Sequence, residues 1–130
     1  MKAMIVEDTA ILRKIMRDIL KEFCGLEDGN IHEAADATKA INDYKHTRPD
    51  IVFLDISMPG MNGKEAIKHF LAIDADAKIV MFTGSRNETD VKECISAGAK
   101  DYLVKPLSPQ RVQESVRKVV SSDKLPDILK

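Results

Sequence analysis

At 130 residues, with 44% apolar and 32% charged side chains, the chain has the size of one domain and material for one core, which excludes disorder over most of its length. Twenty basic against twenty-one acidic residues leave a net charge of −1, so there is no basic excess of the kind that binds a nucleic-acid backbone. The early apolar run Ala3 to Val6 stops at Glu7-Asp8, far short of a signal-peptide core or a membrane span, and a cytoplasmic protein is expected.

The first strand is expected over Lys2 to Val6. Residues 9 to 23 then place Ile11, Leu12, Ile15, Met16, Ile19, Leu20 and Phe23 on one stripe at helical spacing, with Arg13, Lys14, Arg17, Asp18 and Lys21 off it. Thr9 or Asp8 suits the N-cap of that helix. A second strand, Asn30 to Ala34, precedes a weaker stripe of Ala37, Ala40, Ile41 and Tyr44. The third, Ile51 to Asp55, leads through a turn rich in Pro, Asn and Gly into a helix carrying Ala66, Ile67, Phe70 and Leu71. The fourth, Lys78 to Thr83, precedes Val91, Cys94 and Ile95, and the fifth, Asp101 to Lys105, precedes Val112, Val116, Val119 and Val120.

Strand and helix alternate five times, which implies an α/β fold: a doubly wound five-stranded parallel sheet between helices, in a flavodoxin-like three-layer architecture. The unbroken apolar runs Ile51 to Leu54 and Ile79 to Phe82 suit strands covered on both faces. One domain is expected over residues 1 to 122, with 123 to 130 a short tail, and the segment from Ser121 onward reads as loosely attached. Cys24 and Cys94 stand far apart with no metal-binding spacing, as expected of reduced, partly buried thiols. His32, His46 and His69 are scattered and receive no role.

In parallel sheets of this design, chemistry collects at the carboxyl ends of the strands. Here those ends carry Glu7-Asp8, Asp55, Thr83 and Lys105, each directly after an apolar run. Three carboxylates, a hydroxyl and an ammonium should therefore converge at one edge. Carboxylates so close repel in a partly desolvated site, and a hard divalent cation with oxygen ligands, Mg²⁺ above all, is the natural remedy. Lys105 and Thr83 suit the equatorial oxygens of a transferring phosphoryl group, which leaves Asp55 as the carboxylate nucleophile. Taken singly, each residue has a plainer explanation as a helix cap, turn residue, loop hydroxyl or surface lysine; the conjunction is what carries the reading. Lys105-Pro106 adds a position where a cis peptide could aim the lysine inward.

Together, Glu7-Asp8, the run Asp55-x-x-Met58-Pro59-x-x-Asn62-Gly63, Thr83-Gly84 and Tyr102-x-x-Lys105-Pro106 resemble the receiver domain of two-component response regulators over about residues 2 to 122. The resemblance implies that Asp55 accepts a phosphoryl group from a phosphohistidine on a sensor histidine kinase or a histidine phosphotransfer protein. It implies further that Asp8 and Asp55 hold Mg²⁺ (Mn²⁺ as an alternative), with Glu7 bound directly or through water and the Ser57 backbone carbonyl as another ligand. Thr83 and Lys105 match the switch hydroxyl and the lysine of the family, and Tyr102 matches the aromatic that turns inward when the hydroxyl is drawn to phosphate. The output surface would be the fourth helix, fifth strand and fifth helix, roughly residues 87 to 120, serving a protein partner or a phosphorylation-dependent dimer. Two positions lining the phosphoryl pocket in the family are Ser57 and Ser85 here, neither a bulky shield against water.

Three rivals are weighed. A haloacid-dehalogenase-type phosphatase would want an acid two residues after the nucleophile, where Ser57 stands, and a late acidic pair. A flavodoxin-like cofactor carrier would want a phosphate-binding loop where Glu7-Asp8 stand. A receiver-like binding module without phosphorylation is weakened by the presence of every chemical residue and stays the alternative. The expectation is a non-enzymatic, stand-alone signalling protein, of chemotaxis or phosphorelay type, that catalyses its own phosphotransfer and slow dephosphorylation and acts through protein contacts.

Overall fold

The computed structural model describes residues 1–60, 62–84 and 88–130. Strands β1 (Ala3–Val6), β2 (Ile31–Ala34), β3 (Ile51–Asp55), β4 (Ile79–Thr83) and β5 (Asp101–Val104) alternate with helices α1 (Ala10–Cys24), α2 (Ala37–Thr47), α3 (Gly63–Ile73), α4 (Glu88–Ala97) and α5 (Pro109–Val119). The strands form one parallel sheet in the order β2-β1-β3-β4-β5, so the order reverses between β1 and β3. The expected doubly wound α/β architecture is what the chain adopts. Strand bounds differ from the sequence reading by one residue at most, and Lys105 lies just past the end of β5.

The pleat sorts the apolar residues into two cores. Ala3, Ile5, Phe53, Val80, Phe82 and Leu103 face α1 and α5, where Met16, Leu20, Val112 and Val116 meet them. Met4, Val6, Val52, Leu54, Ile79 and Met81 face the other way, against Tyr44, Ile67, Phe70 and Cys94 of α2, α3 and α4. Both cysteines are free and buried. Local signals agree with the packing: Asp36, Asn62 and Ser108 each accept a hydrogen bond from the backbone amide three residues on, capping α2, α3 and α5, and Pro109 opens α5.

Two expectations need correction. The α1 stripe is narrower than its sequence implies: Met16, Ile19, Leu20 and Cys24 are buried, whereas Ile11, Ile15 and Phe23 are 72%, 41% and 40% exposed. A helix on one face of a sheet covers only the arc directly beneath it, and Ile11 and Ile15 lie to its side. The C-terminal tail is packed rather than loose. Leu125 and Leu129 are buried in the core beside α1 and α5, and the Leu129 carbonyl accepts from Arg117 Nε at 3.2 Å. Gly25, which ends α1 with φ of 75°, leaves room for this: a Cβ there would meet Ile128 Cγ2 at 2.9 Å.

Candidate functional site

The register of β1, β3 and β4 brings the predicted strand-end residues to one edge. Val6 pairs with Leu54, and Asp55 pairs with Phe82, so Glu7, Asp55 and Thr83 emerge side by side. Glu7 continues the line of β1, its amide donating to the Ala34 carbonyl at 3.0 Å. Glu7, Asp55 and Thr83 are buried, Asp8 is exposed, and Lys105 is half-buried. A carboxylate oxygen from each of Glu7, Asp8 and Asp55 lies within 4.8 Å of the others.

Lys105 closes the cluster from β5. Its Nζ donates to Asp55 Oδ2 at 2.8 Å and reaches Glu7 Oε1 at 3.4 Å, lying 5.4 Å from the centre of the Phe82 ring. The Lys105-Pro106 peptide is cis. The other oxygen of Asp55 is held from its own loop, where the Ser57 amide and hydroxyl donate to Oδ1 at 2.8 and 2.6 Å. Sequence reasoning assigned Ser57 only a backbone carbonyl and a place on the pocket wall; its hydroxyl bond to Asp55 is an addition, foreshadowed only by the preference of Asx side chains for the amide two residues on. Ser85, Met61 and Asn87 lie outside the described residues.

Charge is unevenly settled at this edge. Burial opposes ionisation of Asp55, yet the Lys105 ammonium and the Ser57 donors outweigh it and hold that carboxyl below the ordinary range. Burial likewise opposes the charge on Lys105 and is outweighed by Asp55 and Glu7, so the ammonium is held more firmly than usual. Glu7 goes the other way: burial first, then Asp55 and Asp8, push its carboxyl up to about 7 against the pull of Lys105. Among the described residues no donor reaches the buried Glu7 Oε2. An orphaned, deeply buried carboxylate oxygen beside two more carboxylates is the donor set a hard divalent cation takes, so these residues fit a metal ion of the Mg²⁺ class.

Tyr102 is on β5 and 39% exposed, between α4 and α5. Thr83 closes β4 one residue beyond Phe82, the partner of Asp55. The structure thus assembles Glu7, Asp8, Asp55, Thr83 and Lys105 at one edge, with Tyr102 farther back along β5.

The sequence profile of the response regulator receiver domain matches residues 3–117. The chain belongs to the response regulator receiver family. The chemotaxis protein CheY of Thermotoga maritima is 42% identical over 118 residues, 91% of this chain and 96% of that protein. Among solved structures, Vibrio cholerae CheY4 superposes with a TM-score of 0.81 at 26% identity, covering 92% of this chain and 98% of that one. The Borrelia burgdorferi CheX-CheY-BeF3-Mg²⁺ complex matches with a TM-score of 0.77 at 31% identity, covering 88% of this chain and 85% of that one.

Receiver domains are signalling modules whose general function is to be phosphorylated on an aspartate by a kinase, so this chain is a CheY-like response regulator receiver within a two-component system. Members interact with histidine kinases and bind Mg²⁺ in an acidic site, for which Glu7, Asp8 and Asp55 are the candidate here. The phosphatase and flavodoxin readings fall with the family assignment. Among the described residues no helix is long and apolar enough to cross a membrane.

Proposed function

We propose that Asp55 is the phosphoacceptor, taking a phosphoryl group from a phosphohistidine of a sensor kinase or phosphotransfer protein in a Mg²⁺-dependent step. The observation that carries this is the meeting of an ionised, buried Asp55 with a bound ammonium on one side and two further carboxylates on the other. A cytoplasmic location goes with this reading, and so does a receiver domain over residues 1–122 onto whose core the segment 123–130 packs.

An Asp55 carboxylate oxygen attacks phosphorus, the new O–P bond forms as the N–P bond breaks, and the electron pair stays on the donor imidazole. Lys105, already on Asp55, stays within reach of the charge that gathers on the equatorial oxygens, and the Thr83 hydroxyl takes another of them. Glu7, Asp8, Asp55 and the Ser57 carbonyl would hold Mg²⁺ or Mn²⁺, which when bound neutralises the carboxylates and withdraws charge from the phosphoryl oxygens. Ser57 fixes the Asp55 side chain through Oδ1, so the nucleophile is oriented before the donor arrives. The same set of groups supports self-catalysed dephosphorylation, since Ser57 puts no bulky shield between the phosphoryl group and water.

Signalling then follows from Thr83 moving toward phosphate and Tyr102 turning into the space behind it. The output surface is residues 87–120. A cavity of about 560 Å³ between α4 and α5, lined by Val91, Lys92, Tyr102, Leu107 and Arg111 among others, gives a protein partner an apolar floor with a charged rim. The same face could serve a phosphorylation-dependent dimer, with the unphosphorylated chain a monomer. The experiment is incubation with Mg²⁺ and a small acyl phosphate: one phosphoryl group is expected by intact mass, absent in Asp55→Asn. Equal labelling of that variant overturns the assignment of Asp55, and no labelling of the wild-type chain favours a receiver-like binding module without phosphorylation.

A further inference from the structure

Glu7 and Asp8 must hold position although their carboxylates face Asp55 across a crowded, partly buried edge. One side of their backbone is tied to β2 through the Glu7 amide and the Ala34 carbonyl. Among the described residues, the other side is tied by one side chain. Arg13 Nη1 donates to the Glu7 carbonyl at 2.8 Å and to the Asp8 carbonyl at 3.2 Å, so one guanidinium nitrogen spans both acidic residues.

Helix geometry explains the reach. Arg13 sits in the first turn of α1, its amide donating to Thr9, and helical side chains lean toward the N-terminus of their helix, which here abuts the end of β1. The guanidinium is itself held. Arg13 Nε donates to Glu33 Oε1 at 3.0 Å, and Arg17 Nε donates to Glu33 Oε2 at 2.6 Å, so Glu33 on β2 is gripped by both arginines. Arg17 is anchored further by the Asp28 carboxylate and the Ile31 carbonyl. Of the two arginines it is Arg13 that touches the acidic backbone, with its side chain mostly out of solvent.

We infer that Arg13 is a positioning residue for the acidic site: it presets the Glu7-Asp8 backbone so that both carboxylates point at Asp55 before any cation arrives. This rests on the proposed metal-dependent phosphorylation at Asp55. A planar guanidinium can serve two carbonyls and a carboxylate at once, whereas an ammonium cannot match that fork. Without Arg13 the two carbonyls lose their shared donor, and carboxylate repulsion is free to swing Glu7 and Asp8 apart.

The test compares Arg13→Ala, Arg13→Lys and Arg17→Ala with wild type. Mg²⁺ affinity by calorimetry, amide NMR of the metal-free proteins, thermal stability, and labelling by an acyl phosphate at limiting and saturating Mg²⁺ are measured. Arg13→Ala is expected to weaken Mg²⁺ binding about ten-fold or more, as loss of groups that orient metal ligands does. Labelling at saturating Mg²⁺ should recover most of its wild-type rate. The Glu7 and Asp8 amides should shift without metal, and Arg13→Lys should recover only part of the affinity. Arg17→Ala should lower stability while binding Mg²⁺ as wild type does. Arg13→Ala binding Mg²⁺ as tightly as wild type overturns the inference, and so does an equal loss in Arg17→Ala, which would mark the network as merely structural. A wild-type chain that binds no Mg²⁺ instead overturns the underlying metal-site reading.

Discussion

The Lys105 ammonium sits 2.8 Å from Asp55 Oδ2, joining the carboxyl ends of β3 and β5 across β4. It therefore occupies the charge that an arriving cation would otherwise meet, and it is placed to follow a phosphoryl group onto the same oxygen.

Replacing it with methionine separates these two effects. Lys105→Met should slow labelling by an acyl phosphate by about 100-fold, the usual scale for losing one preorganised charge-stabilising donor. Mg²⁺ should bind more tightly, because the competing ammonium is gone. Intact-mass time courses and Mg²⁺ titrations check both, and weaker Mg²⁺ binding would contradict the competition.

Glu7 sets a pH dependence. Its carboxyl lies at about 7 in the metal-free fold against an ordinary 4.5, so between those values the folded chain holds a proton that the unfolded chain has lost. Its contribution to stability is thus fully present below about 4.5 and lost as pH rises through about 7. A cation needs the ionised form, so Mg²⁺ affinity should rise from about pH 6 to about pH 8 and then level off. Calorimetric titration across that range should show the rise in wild type and a flat profile in Glu7→Gln.

Thr83 and Tyr102 set the expected relay. A beryllofluoride mimic with Mg²⁺ should shift NMR signals across residues 83 to 106 and bury the Tyr102 ring. Thr83→Ala should bind the mimic yet leave Tyr102 exposed. Shifts confined to the loop after Asp55 in the wild-type chain would count against a relayed switch.

The tail offers a control remote from the site. Leu129→Ala should cost about 2 kcal/mol in urea unfolding, the low end for truncating a buried leucine. Its Mg²⁺ affinity should be that of wild type.

Much of this is legible in the amino-acid sequence. Strand ends are readable because a buried apolar run that stops at a polar residue marks both the element and its exit from the sheet, as Val6-Glu7 and Leu54-Asp55 do. Leu125 and Leu129 are not legible, since two leucines around a proline carry no periodicity and their partners on α1 are distant in the chain. Arg13 was hidden for a related reason: on a helical wheel it is simply off the apolar stripe, and only the angle between α1 and β1 turns it toward the acidic backbone. Asp101 carries no signal of its own in the sequence either. It is a buried acid at the start of β5, paired with Arg111 at 3.0 and 3.1 Å, and its role is to fasten α5 to the sheet.

The sheet keeps the two cores apart, and that division has an evolutionary consequence. The tail, α1 and α5 share one reservoir of apolar contacts, whereas α2, α3 and α4 draw on the other. Substitutions in separate reservoirs combine almost independently. Selection can tune the packing beneath α1 and beneath α4 separately, and α5, which shares a core with α1 and an outer face with α4, is the element through which survival of the fold and what it communicates remain tied.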